Sequence, residues 1–320
     1  MNPREPHAPA APVSTLEEQR VPITGIGDAL RNLWRRASAE DPQLPLHRAL
    51  TMNFIAVTDT AHEPQLQEAL ERILIRHPCR AFLVLLDEEV HGLQATVASQ
   101  IRTLGASRVT VLEMVHLRST DEQLAKVPGI VRSMLVNDIH THLFWQRPVP
   151  RDTGLLAELA ELADQVVVDS AEFADPAKDM ARLRHLEGPR LVDLVWFRLA
   201  PWRRALAEAF ETFSWTPTPA THATIRHGGA AAPSQALARW LEEKLKAKVK
   251  VKAVADEAPE REPLALEVEW GDVHVLVEHL VEEPRLRVTT TRGDHCLLPF
   301  LRPASRGRQG DLLAAALDLA

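Results

Sequence analysis

The sequence predicts an α/β chain in two domains. An N-terminal domain over residues 46–188 has a mostly parallel sheet flanked by helices. A C-terminal α+β domain over 189–320 has antiparallel strands. Residues 1–22 read as a disordered tail and 23–45 as an N-terminal helix. Three observations carry this. Leu50 to Asp87 reads as strand, helix, strand: LTMNFIAVTDT, then AHEPQLQEALERILIRH, then RAFLVLLD. Strand and helix patterns alternate as far as Leu186, which favours helices on the faces of a sheet. Near Gly188-Pro189 the texture changes to a tryptophan-rich helical stretch and then three strand patterns.

Taken in order, the first 22 residues are proline-rich and charged, with little to bury. Ile26 to Ser38 places Ile26, Leu30, Leu33 and Trp34 on one helical face. Thr60-x-x-Glu63 has the form of a capping box, with Pro64 early in the helix. Leu66, Ala69, Leu70, Ile73 and Leu74 form its apolar stripe, and His77-Pro78 ends it. The run Ala81 to Leu86 fits a strand covered on both faces. Leu93–Arg102 and Ser107–Leu117 follow as strands. Thr120–Val136 is helical, broken at Pro128-Gly129. A strand over Ile139–Trp145, a helix through Leu155 and Leu159, a strand over Val166–Val168 and a helix over Asp175–Leu186 complete the domain.

In the second domain, Leu191 to Phe213 reads as helices broken at Pro201, and Ser234 to Lys246 as a helix. Strands are expected over Leu264–Trp270, Val273–Leu280 and Arg285–Thr291. Gly271-Asp272 forms a tight hairpin between the first two.

Composition narrows the function classes. A net charge of −7 argues against nucleic-acid or anionic-membrane partners. The longest apolar run is too short to cross a bilayer, and the N-terminus has no apolar core of a signal peptide. Cys79 and Cys296 are too few for a disulfide framework, which points to a reducing cytoplasm.

The turn after the first strand, Thr58 to Ala61, contains no glycine. Nucleotide-binding βα units have a glycine-rich turn there, so that backbone N–H groups approach the phosphate. The chain also lacks G-x-x-x-x-G-K-[ST], G-x-S-x-G, H-E-x-x-H and C-x-x-C. No catalytic residue, cofactor or metal is therefore assigned. His140 and His142 share a strand face with Asp138, a marginal ligand set set against an ordinary half-exposed strand. Asp169-Ser170 follows a strand, and with Asp59 it outlines a possible ligand crevice; the same two residues suit a cap, which is favoured. Lys244, Lys246, Lys248, Lys250 and Lys252 alternate as on one strand face. That is either an anion-binding stripe or an edge strand kept soluble, and the latter is favoured. Cys79 is basic-flanked by His77 and Arg80, yet burial is the common fate of a lone cysteine. Trp196, Arg198, Trp202, Arg203 and Arg204, with Phe197 and Phe213, form the densest aromatic and arginine patch. Such residues mark partner-binding surfaces, and equally an apolar core. Pro201 is expected to restart a helix and turn Trp202, Arg203 and Arg204 outward.

Three strings occur in order: MNFIAVTDT with RHPCRAFLVLLD, then ADQVVVDSAEF, then LVDLVWFRLAPWRRALA. Together they resemble the glucose-6-phosphate dehydrogenase assembly protein family, OpcA, from about residue 46 to the C-terminus. The resemblance implies a bacterial, non-catalytic partner promoting assembly and activity of that dehydrogenase, the first enzyme of the oxidative pentose phosphate pathway. It supplies no catalytic residue. Thiol redox state bears on some members of the family, while this chain has two cysteines. The alternative expectation is a small-molecule or sugar-phosphate-binding α/β protein using the crevice near Asp59 and Asp169.

Overall fold

The computed structural model describes residues 14–40, 46–47, 50–104, 108–151, 153–211, 221–229, 231–254, 262–280, 282–304 and 308–318. The chain forms two compact units. The first comprises the described residues of Met1–Arg147, Arg151–Val166 and Gly188–Arg190; the second those of Pro148–Pro150, Val167–Glu187 and Leu191–Ala320.

In chain order the first unit has β1 (Ser14–Val21), α1 (Ile26–Glu40), β2 (Leu46–His47), β3 (Met52–Asp59), α2 (Glu63–Arg76), β4 (Cys79–Leu86), β5 (Gln94–Leu104), β6 (Arg108–Ser119), α3 (Val127–Met134), β7 (His140–Trp145) and α4 (Gly154–Ala160). Then come β8 (Gln165–Val168), α5 (Pro176–Leu183) and β9 (Arg190–Asp193), where the chain passes between units. The sheet runs β1-β5-β6-β4-β3-β7-β8-β9, with β2 beside β6. From β6 to β7 the pairs are parallel, with Phe54 opposite both Ala81 and His142. Renumbered along the chain, β6-β4-β3-β7-β8-β9 is the order 3-2-1-4-5-6 of a dinucleotide-binding sheet, and it reverses between β3 and β7. The apolar runs of β3 and β4 are buried almost throughout, as strands covered on both faces must be. Arg80 and Glu113, register partners on β4 and β6, form a largely buried ion pair with Nε at 2.7 Å. Arg80 Nη1 also donates to the Met134 carbonyl at 2.6 Å, satisfying the rest of the guanidinium.

Several expectations are corrected here. Residues 14–21 are not a tail: they pair antiparallel with β5, and α1 packs on both strands. Thr60 does not cap α2; Asp59 takes the amide of His62 instead. The stretch after β6 does fall into two pieces, a 3-10 helix over Asp121–Lys126 and then α3, but the junction precedes Pro128-Gly129 rather than lying at it. Pro128 lies in the first turn of α3, where its missing N–H has no helical partner to lose.

The second unit continues with α6 (Leu194–Arg198), α7 (Ala200–Glu211), β10 (His222–His227), α8 (Ala231–Leu245), β11 (Lys248–Ala253), β12 (Ala265–Trp270), β13 (Val273–Leu280), β14 (Arg285–Arg292), β15 (His295–Cys296), β16 (Phe300–Pro303) and α9 (Gln309–Leu317). Its sheet runs β11-β10-β12-β13-β14-β15, with β16 also on β14. All pairs are antiparallel except β10–β11. Trp202, Leu206 and Phe210 of α7 and Leu237 and Leu241 of α8 pack on Val268, Val275, Val277 and Val288. Gly271 opens the β12–β13 turn at φ 59°, a left-handed value that glycine adopts more readily than other residues. Residues 167–187 pack with this unit, Ala171 against its core and Asp169 held by Arg198. The lysine stripe is shorter than expected. Lys244 closes α8, Lys246 turns the chain at φ 53°, and only Lys248, Lys250 and Lys252 lie on β11, an edge strand.

Candidate functional site

The crevice where strand order reverses is the place at which this sheet type binds a ligand. Here the chain's own groups hydrogen-bond to one another across it. Asp59 Oδ1 accepts from the His62 amide at 3.0 Å and lies 2.7 Å from His62 Nδ1. The helix then opens Glu63-Pro64, and Pro64 offers no N–H. Gln146, just past β7, donates its amide to the Val57 carbonyl at 2.9 Å. Its side chain accepts from Thr58 Oγ1 at 3.2 Å and donates to Gln65 at 3.4 Å. A phosphate approaching this turn meets a carboxylate and an amide already engaged, where a nucleotide site presents free N–H groups.

Asp169 and Ser170 lie in the second unit and are built into a buried cluster. Asp169 accepts from the Ala171 amide at 3.2 Å, so it caps a short helical turn over Ser170–Glu172. Arg198 holds the same carboxylate through Nη1 at 3.1 Å and Nη2 at 2.8 Å. Ser170 Oγ donates to Asp193 Oδ2 at 2.6 Å, and the Ser170 and Val195 amides donate to Asp193 Oδ1 at 3.1 Å each. Burial raises the Asp193 carboxyl against these hydrogen bonds. Glu262 completes the cluster. Burial pushes it up to about 7, opposed by the Trp202 indole and the Arg198 charge. Neither Trp202 Nε1 nor Glu262 Oε2 completes a hydrogen bond. The cluster thus sets one guanidinium among three carboxyls, two of them with a raised affinity for a proton. Glu262 carries no local sequence signal; Asp193 does, as an N-cap before an apolar run.

The histidine pair does not converge on a ligand. Asp138 sits in a turn at φ 64°, off the strand. His140 Nδ1 lies 3.5 Å from Asp164, while buried His142 Nδ1 meets Gln165 at 3.1 Å, and the two rings are 6.4 Å apart. Among the described residues no three His, Cys, Asp or Glu side chains are grouped to hold a metal ion. Burial raises the thiol of Cys79 well above the ordinary range, which makes it unreactive, while Cys296 is exposed.

The aromatic and arginine patch divides. Arg198 and Trp202, expected at the surface, are both 0% exposed. The physical reason is the position of Pro201: it lies in the first turn of α7 without breaking it, so helical spacing puts Trp202, Leu206, Ala209 and Phe210 on the core face. Trp196 and Arg204 are exposed. The Arg203 guanidinium lies 3.4 Å over the Trp196 ring, and its Nη2 donates to the Trp196 carbonyl at 2.9 Å. Phe213 falls outside the described residues.

Comparison with known proteins gives a consistent picture. A family profile described as glucose-6-phosphate dehydrogenase subunit N-terminal domain matches residues 70–185, and one described as the C-terminal domain of that subunit matches residues 189–318. A Nostoc punctiforme protein, provisionally named OxPP cycle protein OpcA, is 27% identical over 232 residues, covering 68% of this chain and 46% of its own. A Synechocystis protein of the same provisional name is 29% identical over 146 residues, covering 44% of this chain and 31% of its own. The chain therefore matches less than half the length of these relatives. Among solved structures, a levoglucosan dehydrogenase in complex with NADH and L-sorbose aligns with a TM-score of 0.47 at 10% identity, over 83% of this chain and 87% of that one.

Proposed function

The chain belongs to the OpcA family, and from that membership we propose that it is a non-catalytic partner of glucose-6-phosphate dehydrogenase, an assembly factor and allosteric activator in the oxidative pentose phosphate pathway. The observation that carries the non-catalytic part is the Asp59–His62 turn. A sheet ordered for a dinucleotide has a carboxylate, an engaged amide and Pro64 where the phosphate grip belongs. The activating part follows from thermodynamics: a partner shifts an enzyme between oligomeric or conformational states only by binding one better than the other. We place it in the cytoplasm, with no nucleic-acid or membrane partner; among the described residues no helix is long and apolar enough to cross a membrane. The alternative, a sugar-phosphate binder using Asp59 or Asp169, has less support, because each carboxylate is engaged by its own unit.

The test is co-expression of the tagged chain with the dehydrogenase from the same genome. Co-elution in size-exclusion chromatography, with a changed oligomeric mass of the dehydrogenase by light scattering, supports the reading. Separate elution with unchanged mass removes it.

A further inference from the structure

A groove of about 220 Å³ opens in the second unit between α5 and α8. Pro176 and Met180 of α5 and Arg184 at its C-terminal end face it at spacings of four residues; Ala232, Ala236 and Arg239 face it from α8 at spacings of four and three, one helical face in each case. The two alanines leave the space that makes the groove. Trp196 forms a wall, 41% exposed and stiffened by the Arg203 guanidinium stacked on its ring. Ser170 and Asp193 form the floor.

The charges at this groove are not compensated within the described residues. Arg184 and Arg239, which line it, and Arg203, stacked on its Trp196 wall, have no carboxylate partner there, and Arg203 is repelled by the neighbouring Arg204. Arg203 Nε is buried without a hydrogen-bond partner. This is an arginine-rich, Trp-centred surface in a chain whose net charge is −7. Aromatic anchors and arginines of this kind concentrate binding energy at protein interfaces.

We infer that the α5–α8 groove seats a short acidic segment of the partner dehydrogenase, with a carboxylate held at the rim by Arg184 and Arg239 and an apolar side chain laid against Trp196 and Met180. This rests on the reading of the chain as a dehydrogenase partner. The floor selects a peptide over a free anion. Asp193 at the base repels a phosphate or carboxylate that enters deeply, whereas the N–H groups of a peptide are welcome beside it. The volume selects in the same direction: it falls below the roughly 300–1,000 Å³ of small-molecule sites and suits one or two side chains.

The experiment measures the Kd of the full chain for the dehydrogenase by calorimetry, for the parent, for Arg184→Glu with Arg239→Glu, and for the milder Arg184→Gln with Arg239→Gln. Melting temperatures are recorded for each, with and without inorganic phosphate. Two lost charged contacts should weaken binding by on the order of 100-fold in the reversal variant and less in the neutral one. Melting temperatures should hold, because both arginines are exposed and unpaired. Parent-like binding by both variants overturns the groove and leaves the partner reading intact. A parent that does not bind the dehydrogenase sinks both. Stabilisation by phosphate that the variants abolish, with dehydrogenase binding unchanged, makes the groove a small-anion site and overturns the peptide. If the reversal variant unfolds, the neutral pair decides by the same comparison.

Discussion

Arg198 and Asp169 form a two-pronged ion pair shut off from solvent, with side-chain exposures of 0% and 3%. Arg198 lies on α6 and Asp169 opens the turn after β8, so the pair fixes one segment to the other. Asp169→Ala strands a buried guanidinium, and the expected loss is about 3–5 kcal/mol in urea unfolding. By contrast, Glu208→Ala removes an exposed pair with Arg302 and should cost about 1 kcal/mol or less. Equal losses in the two variants would show that Arg198 finds other compensation, Glu262 being the nearest source.

Glu262 should give stability a pH dependence of unusual sign for a carboxylate. Its folded value is raised from 4.5 to about 7, so between these limits the folded state holds a proton that the unfolded chain has released. Its contribution is fullest below about pH 4.5, declines as pH rises, and is lost above about pH 7, a swing on the order of 3 kcal/mol. Asp193, also raised by burial, acts in the same direction, while Arg198 and Trp202 oppose. Glu262→Gln should flatten the profile and leave the variant more stable than the parent at pH 8. Parallel profiles of variant and parent across pH 5–8 would contradict this.

Removal of β1 should be felt. Ser14–Val21 pairs with β5 and contacts α1, so a chain beginning at Pro22 exposes the β5 edge. Each kcal/mol lost corresponds to roughly 2–4 °C for a unit of this size, so a fall of several degrees is expected, with a tendency to aggregate through the bared edge. An unchanged melting temperature would mean the pairing contributes nothing.

Nucleotide binding should be absent. With Asp59 and Pro64 in place of the phosphate grip, NADPH fluorescence should show no saturable change up to about 1 mM, near −4 kcal/mol of binding free energy. Saturation in the micromolar range would return the crevice to the list of working sites.

What could be read from the sequence depended on how local the cause was. The β3–α2–β4 unit was legible because its apolar runs and stripe lie within 40 residues and agree with one another. β1 was not: STLEEQRV lacks the alternation of a half-buried strand, and what orders it is the distant edge of β5. Alternating lysines from Lys244 suggested one long strand, but Leu237, Leu241 and Leu245 at helical spacing already belonged to α8. Trp202 was misplaced because the helix restart at Pro201, which does open α7, implies nothing about facing outward, and helical spacing with Leu206 and Phe210 carries Trp202 onto the core face. In the candidate sites, the missing glycine after β3 was visible in the sequence, whereas its replacement by Gln146 bridging from β7 needed the fold. The Glu262 and Arg198 cluster joins residues 64 positions apart, with no local pattern to announce it.

The most direct measurement is the rate of NADPH formation from glucose 6-phosphate by the dehydrogenase at fixed concentration, titrated with this chain. The rate should rise and saturate near a fixed molar ratio, with the mass of the dehydrogenase assembly changing over the same range and no turnover by the chain alone. A flat rate and unchanged mass across the titration, or turnover by the chain in the absence of the dehydrogenase, would contradict a non-catalytic assembly role.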